Sequence, residues 1–306
     1  MENFLIVCKQ VLILFVLLFV GFILGKKRII TEKGGKVCSD LAMLLATPCV
    51  IILSFQQPYS TVLLRDLLLA LGVSLGIHVV AIGVSHILYR KDDRLTGVYR
   101  ASSVLSNASF MGLPLQQALL GQKGVLYGAA YSVVLTIALW SYGVLAMGKK
   151  EEKIPFRKIL LNPGSMGLVI GLLLFVCRVT LPELIDSPIR HLAALNTPLP
   201  MLFAGYYLSQ IDMKKALTVR KNYVAVAMRL VVVPVIAVAA IFLCGVRGTL
   251  LVSMMVSACA PTAIGVAMLA DRLEADAETA VNLVALSTIA SVVTMPVLVA
   301  LAQQFA

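Results

Sequence analysis

The sequence predicts an all-α integral membrane protein with ten transmembrane helices, arranged as two inverted repeats of five. The first observation is composition: 60% of the 306 residues are hydrophobic, 13% are charged, and the mean hydropathy is +0.96. Soluble domains contain roughly 45–50% apolar and about 25% charged residues, so the soluble globular class is excluded. The second observation is that the apolar residues fall into ten runs of about 20 residues, the length that a helix needs to cross a bilayer.

The ten runs are separated by short segments rich in charged residues, proline, glycine or asparagine. We number the runs as spans 1 to 10, at about residues 4–24, 37–55, 66–88, 99–119, 125–147, 160–178, 189–209, 223–244, 249–270 and 277–302. Span 1 follows no basic segment and precedes no cleavage site, so we expect it to be retained rather than removed as a signal peptide.

The positive charges predict the orientation of the chain. There are 26 Lys and Arg against 15 Asp and Glu, a formal net charge of +11. Counted with the adjoining span ends, the odd-numbered connections hold 19 Lys and Arg and the even-numbered ones hold 5. Because these residues accumulate in cytoplasmic loops, we expect a multi-pass protein of the cell (cytoplasmic) membrane with both termini extracytoplasmic. The basic residues form no separate domain, so we expect no nucleic-acid partner.

The two halves of the chain correspond to each other. One constant offset in residue number relates Gly21 to Gly171 and aligns Thr47-Pro48 with Thr197-Pro198. Each half has five spans, an odd number, so the second half must be inverted in the membrane relative to the first. We therefore predict a first repeat over residues 1–148, a cytoplasmic connection over 149–159 and a second repeat over 160–306.

Proline interrupts the corresponding spans 4 and 9. Pro114 and Pro261 each lack an N–H and leave the carbonyl four residues earlier without its donor. Carriers built from inverted repeats place their substrate site where corresponding helices are interrupted, and half-helix N-termini there can hold an anion. The candidate substrate-binding residues are Asn107, Ser109, Gly112, Pro114, Ser257, Pro261 and Thr262.

Four further residues are possible accessories to this site, each with two interpretations. Arg229 in span 8 could attract an anion or extend to the membrane interface. His78 in span 3 could relay protons or hydrogen-bond a neighbouring helix. Asn196 and Thr197 in span 7 could flank the substrate path or shape a supporting helix.

Several chemistries lack support in the sequence. The acidic residues all lie in loops or at span ends, which argues against a cation or proton carrier with a carboxylate at mid-membrane. The six cysteines have no metal-ligand spacing with histidine, so we predict neither a metal site nor a cofactor. Residues 72–76 spell GxSxG inside an apolar span, where a nucleophile elbow does not form. We therefore predict no enzymatic activity.

Three motifs occur in the expected spans: NASFMGLP at residues 107–114, TPLPM at 197–201 and APTA at 260–263. By these motifs the chain resembles the auxin efflux carrier family, within the larger group that includes the bile-acid sodium symporters. The resemblance implies a scaffold of spans 1, 2, 6 and 7, a transport domain of spans 3–5 and 8–10, and spans 4 and 9 crossing at their proline breaks at mid-membrane. It also implies that Asn107, Pro114 and Pro261 line the site.

The family resemblance implies elevator-type alternating access for small organic anions: indole-3-acetate in plants, and malate or malonate in many bacterial members. The connection at 149–159 is far shorter than the long loop of many plant carriers, so a bacterial-type member is expected. Plant members have an acidic residue within span 3, whereas here Asp66 lies only at its start. Proton coupling is therefore not carried over from that position.

From these observations we expect a secondary transporter of small carboxylates in a lipid bilayer. Two alternatives remain open, a sodium- or proton-coupled carrier on the same fold and a membrane sensor that binds the same anion. A homodimer through the scaffold spans is possible, because the glycine pairs Gly21/Gly25 and Gly167/Gly171 allow close helix approach. The same pairs could also pack within one chain.

Overall fold

Helices form all the regular structure of the computed structural model over the residues it describes, which are 2–91, 93–149, 163–211 and 213–306. Apart from Lys149, the predicted connection at 149–159 lies outside these residues. The helices are α1 (Glu2–Lys26), α2 (Glu32–Ser54), α3 (Thr61–Leu88), α4 (Arg94–Val104), α5 (Ala108–Met147), α6 (Pro163–Val176), α7 (Glu183–Ala194), α8 (Pro198–Ser209), α9 (Met213–Thr218), α10 (Arg220–Leu243), α11 (Gly248–Cys259), α12 (Ile264–Arg272) and α13 (Ala277–Gln303).

Six of the described helices are long and apolar enough to cross a membrane, namely α1 (from Leu5 onward), α2, α3, α5, α10 and α13. Helices α6 and α11 are apolar but shorter. Large apolar side chains such as Leu12, Leu68, Leu75 and Val293 are more than half exposed on the outside of the molecule. Extended apolar surface of this kind is unfavourable in water and suits contact with lipid.

Polar caps fix helix ends on the side where α3 ends and α4 begins. The Asp93 carboxylate accepts a hydrogen bond from the backbone N–H of Thr96 at 2.7 Å, which holds the pKa of Asp93 below its usual range. Arg94 donates to the carbonyls of Met147 and Leu273, at the ends of α5 and α12. These bonds satisfy helix-terminal groups that have no partner within their own helix.

Two interruptions distinguish the fold from a simple bundle. Leu105, Ser106 and Asn107 separate α4 from α5, and residues 260–263 separate α11 from α12. Pro261 lies within the second interruption. Pro114 does not lie within the first, so the prediction that span 4 breaks at Pro114 is wrong.

The reason is a wide helical turn just after the first interruption. Residues 108–112 form a π-helix, in which the N–H of Leu113 bonds to the carbonyl of Ala108. Pro114 then occupies the second position of the regular helix that follows, where a missing N–H is tolerated. The wide turn accommodates the proline ring, and the chain stays helical through it.

Helix α5 contains a reversal that separates spans 4 and 5. Gly121 has a φ of +64° and a ψ of −158°, a conformation that side chains with a Cβ rarely adopt. The reversal divides α5 into a short arm, residues 108–120, and a long arm, residues 122–147. The short arm corresponds to the second part of span 4, and the long arm corresponds to span 5.

The constant offset between the halves holds only in their first parts. Applied to the end of α1 at Lys26, the offset gives the observed end of α6 at Val176. Applied to the end of α4 at Val104, it falls more than one helical turn short of Cys259, where α11 ends. The second half contains the short helix α9, which has no helical counterpart between α2 and α3. The larger offset is already present between the end of α2 at Ser54 and the end of α8 at Ser209, so the register shifts before α9 begins.

Glycines allow the closest helix contacts. A Cβ on Gly21 or Gly205 would collide with backbone atoms across the contact between α1 and α8, and one on Gly167 would lie 3.0 Å from Cα of Pro48 in α2. The glycine pairs of spans 1 and 6 are thus used within the chain, so the predicted homodimer no longer rests on them. Gly72 and Gly76 on α3 face open space.

We expect Gly21→Ala to lower the free energy of unfolding by about 1–3 kcal/mol, because its methyl group overlaps the Leu202 backbone. Gly72→Ala is the matched control, since it makes the same change in a helix with no neighbour within 4 Å. Thermal unfolding in detergent measures both variants. Equal melting temperatures would contradict the close contact between α1 and α8.

Candidate functional site

The two interrupted segments pair with each other. Ser106 and Thr262 form an isolated antiparallel β-bridge. The N–H of Asn107 donates to the carbonyl of Pro261 at 2.7 Å, and the N–H of Ala263 donates to the carbonyl of Leu105 at 2.9 Å. Each extended segment thus satisfies backbone groups that the other leaves free, as backbone away from water requires. We call this pairing the crossover.

Polar side chains of other helices support the crossover. The backbone N–H of Thr262 donates to Oγ of Ser287 on α13 at 3.0 Å, and Oγ1 of Thr262 donates to the Ser102 carbonyl on α4 at 2.9 Å. Ser102, Thr262 and Ser287 are all buried. The position of the second segment therefore depends on both α4 and α13.

The first N–H groups after each interruption have no partner. Those of Ala108, Ser109 and Phe110 on α5, and of Ile264 and Gly265 on α12, form no hydrogen bond within the described part of the chain. Unpaired N–H groups at a helix start carry positive partial charge and can bind an anion. Two such starts lie beside each other here because the crossover joins the segments that precede them.

A cavity of about 60 Å³ lies at these helix starts. The predicted residues Asn107 and Ser109 line it, together with Ser106, Ala263 and Gly265 of the crossover region. Its other walls are α2, α6 and the long arm of α5, and no charged side chain is among the described residues that line it. We call it the central cavity.

The remaining predicted binding residues lie outside the central cavity. Gly112 packs beside Ser257, whose hydroxyl accepts a hydrogen bond from Nε2 of Gln116 at 2.8 Å. Pro261 and Thr262 take part in the crossover through their backbone. Pro114 lines a different cavity of about 420 Å³, together with Arg190, Asn196 and Thr197. We call this second space the α7 cavity.

Asn196 lies between the central cavity and the α7 cavity. Its Oδ1 accepts a hydrogen bond from the Thr47 hydroxyl of α2 at 2.8 Å, and its Nδ2 donates to the Ser109 carbonyl at 3.3 Å. In the wide turn at residues 108–112, the donor for the Ser109 carbonyl would be the N–H of residue 114, which is a proline. Asn196 therefore bonds to a carbonyl that Pro114 leaves free.

A third, larger cavity of about 800 Å³ opens on the opposite side of the central cavity. Both spaces are lined by Met43, Leu139, Trp140 and Gly265. Its mouth carries Glu32, Lys36, Asp271 and Arg272, from connections 1 and 9 of the sequence. Those connections belong to the set that is predicted to be cytoplasmic.

The two other accessory residues lie behind the crossover. Arg229 is fully buried, and its guanidinium donates to the carbonyls of Val104 and Ala258 at the ends of α4 and α11. His78 is also buried, with Nδ1 2.8 Å from the Ser74 carbonyl and its ring centroid 5.0 Å from that of Tyr131. Neither residue lines any of the three cavities described above.

Sequence reasoning missed Ser106, Ser287 and Gly265. Ser106 immediately precedes Asn107, and no glycine or proline marks the break at that position. The constant offset relates Asn107 to Ser257, whereas the structure pairs Ser106 with Thr262. Serines within span 10 are candidates to hydrogen-bond a neighbouring helix, but nothing in the sequence distinguishes Ser287 from Ser291.

The fold and the crossover define an all-helical, multi-pass membrane protein with two interrupted helices that pair with each other. The family model described as membrane transport protein matches residues 6–157 and 153–299. The chain therefore belongs to the membrane transport protein family. This confirms the resemblance to the auxin efflux carriers that the sequence motifs indicated.

Two archaeal relatives are described as uncharacterized transporters. The one from Methanocaldococcus jannaschii is 24% identical over 216 residues, which cover 67% of this chain and 70% of the relative. The one from Methanothermobacter thermautotrophicus is 22% identical over 295 residues, which cover 94% of this chain and 96% of the relative. With the family match, they identify the chain as a membrane transporter.

We expect Ser287→Ala to lower the free energy of unfolding by about 1–3 kcal/mol, because it leaves the buried N–H of Thr262 without a partner. Ser291→Ala is the matched control. Both serines are fully buried on α13 and donate to a carbonyl three residues earlier, but only Ser287 also supports the crossover. Thermal unfolding in detergent tests the difference, and equal losses would refute this role of Ser287.

Proposed function

We propose that this protein is a secondary transporter of small organic anions, carboxylates such as malate, malonate or auxin-like acids, and that it works by elevator-type alternating access. The single observation that carries this proposal is the pair of helix starts at the central cavity. Their unpaired N–H groups and the side chains of Asn107 and Ser109 offer hydrogen-bond donors to a carboxylate. The charge of the anion meets the positive partial charges of the two helices.

The architecture that we propose has ten spans as an inverted 5+5 repeat, with spans 4 and 9 crossing at mid-membrane. The element order supports it, since α4 and α5 in the first half correspond to α11, α12 and α13 in the second. The close contacts of α1 with α8 and of α2 with α6 support a scaffold of spans 1, 2, 6 and 7. The transport domain would then comprise spans 3–5 and 8–10.

Alternating access requires that the cavity be closed on one side at a time. The third cavity, of about 800 Å³, adjoins the central cavity on the side of connections 1 and 9. On the side of the α7 cavity, Asn196 bridges Thr47 and Ser109. If the odd connections are cytoplasmic and both termini are outside, this arrangement corresponds to an inward-facing state. Movement of the transport domain past α2 would break the Asn196 bridge and expose the site to the other side.

We propose transport without a coupling cation and without catalysis. No acidic side chain lines the described part of the central cavity. The Asp66 carboxylate accepts a hydrogen bond from the Tyr127 hydroxyl at 2.8 Å and does not line that cavity. A carboxylate that carries sodium or protons would have to lie near the substrate.

The test is uptake of radiolabelled malate, malonate and indole-3-acetate into proteoliposomes, with and without imposed sodium, proton and voltage gradients. We expect saturable uptake of at least one acid that responds to voltage and needs no ion gradient. A strict requirement for sodium or protons would favour the coupled carrier instead. Binding of an acid without uptake would favour the sensor.

We expect Asn107→Ala to abolish most uptake while the protein remains folded, because it removes the carboxamide that lines the central cavity. Gln57→Ala is the control, since it removes a carboxamide that bonds to the Ser54 carbonyl at the end of α2. Initial rates at several substrate concentrations, together with the melting temperature, measure the effect. Wild-type flux in Asn107→Ala would exclude Asn107 from the binding site.

A further inference from the structure

The positively charged side chain of Arg229 lies where α4 and α11 end. Its Nη1 donates to the carbonyl of Val104, the last residue of α4, at 2.5 Å, and its Nη2 donates to the carbonyl of Ala258 in the last turn of α11. The side chain is fully buried. It therefore does not extend to the membrane interface, and it does not line the described central cavity.

No carboxylate of the described residues pairs with this charge. Arg229 forms no ion pair with the acidic residues in the described part of the chain, and its Nε has no hydrogen-bond partner there. An isolated charge in an apolar interior is strongly unfavourable. The partners that stabilise Arg229 are the two carbonyl ends, which carry negative partial charge.

The crossover brings four helix ends together, and each end carries a partial charge from its helix dipole. The ends of α4 and α11 each contribute roughly half a negative charge, and the starts of α5 and α12 each contribute roughly half a positive charge. Without Arg229 these four contributions cancel. With Arg229 bonded to the two negative ends, a net positive charge remains at the two starts, which border the central cavity.

We propose that Arg229 sets the anion preference of the central cavity without touching the substrate, by neutralising the carbonyl ends of α4 and α11. Arg229 is thus a positioning and specificity-determining residue. This inference rests on the proposed transport of carboxylates through that cavity. It accounts for an anion site in which no charged side chain lines the described cavity wall.

The test compares two probes that differ in charge, malonate as a dianion and its monomethyl ester as a monoanion. Arg229→Gln removes the charge and keeps one amide that can donate to a carbonyl. At roughly 10 Å and an effective dielectric of about 20, one charge changes the affinity for a monoanion about tenfold. We therefore expect the KM to rise about tenfold for the monoester and about a hundredfold for malonate in proteoliposome uptake.

Arg229→Lys keeps the charge but loses the fork that reaches two carbonyls. We expect it to lower the maximal rate while retaining the wild-type ratio of the two KM values. Arg100→Gln is the matched control, because Arg100 is also buried and donates to the carbonyls of Tyr89 and Lys91 after α3, away from the crossover. We expect it to leave the KM ratio unchanged.

The outcomes are distinct. The ratio in question is the KM for malonate divided by the KM for its monomethyl ester. If folded Arg229→Gln keeps the wild-type ratio, or if folded Arg229→Lys changes it, the inference is overturned while the proposed function stands. Equal effects of Arg229→Gln and Arg100→Gln on both probes would show a merely structural role and also overturn it. Where malate rather than malonate is taken up, malate and its monomethyl ester are the two probes. Wild-type protein that takes up none of malate, malonate and indole-3-acetate contradicts the proposed function, and the inference falls with it.

Discussion

Backbone hydrogen bonding away from water is the constraint on which the site depends. A helix that stops inside an apolar environment leaves N–H and carbonyl groups that lipid cannot satisfy. Here two interrupted segments satisfy each other through the bonds from Asn107 to Pro261 and from Ala263 to Leu105. Ser287 and Arg229 satisfy further groups at the same place. Among the described residues, the backbone N–H groups at the starts of α5 and α12 remain without a partner, and they border one small cavity.

The helical, membrane-spanning class could be predicted from composition and apolar runs. A chain with so few charged residues exposes apolar surface, which is stable against lipid and not against water. The interruption at Pro261 could also be predicted from the sequence, because proline lacks the backbone N–H that a helix needs. The interruption at Leu105–Asn107 could not. The first interruption depends on the segment around Thr262, which lies in the other half of the chain. That segment supplies the backbone hydrogen bonds that a continuous helix would otherwise provide.

Two site residues show where sequence reasoning reaches its limit. The sequence shows Arg229 as an intramembrane charge, but its partners are backbone carbonyls, which carry no signature in the amino-acid sequence. The sequence predicts that Pro114 leaves the Phe110 carbonyl without a donor. Because residues 108–112 form a π-helix, the carbonyl that loses its donor is that of Ser109 instead. Both differences arise from helix geometry that residue type alone does not determine.

The bridge made by Asn196 bears on how firmly the short arm of α5 is held. Its two hydrogen bonds, to Thr47 and to the Ser109 carbonyl, join α2 and the short arm of α5 to the turn between α7 and α8 through one neutral carboxamide. A neutral hydrogen bond contributes a net of only about 1 kcal/mol when water can replace the partner. The α7 cavity, of about 420 Å³, lies beside this bridge and has room for water. In the alternating access that we propose, this contact would act as a weak latch that closes one side of the central cavity and opens at little energetic cost.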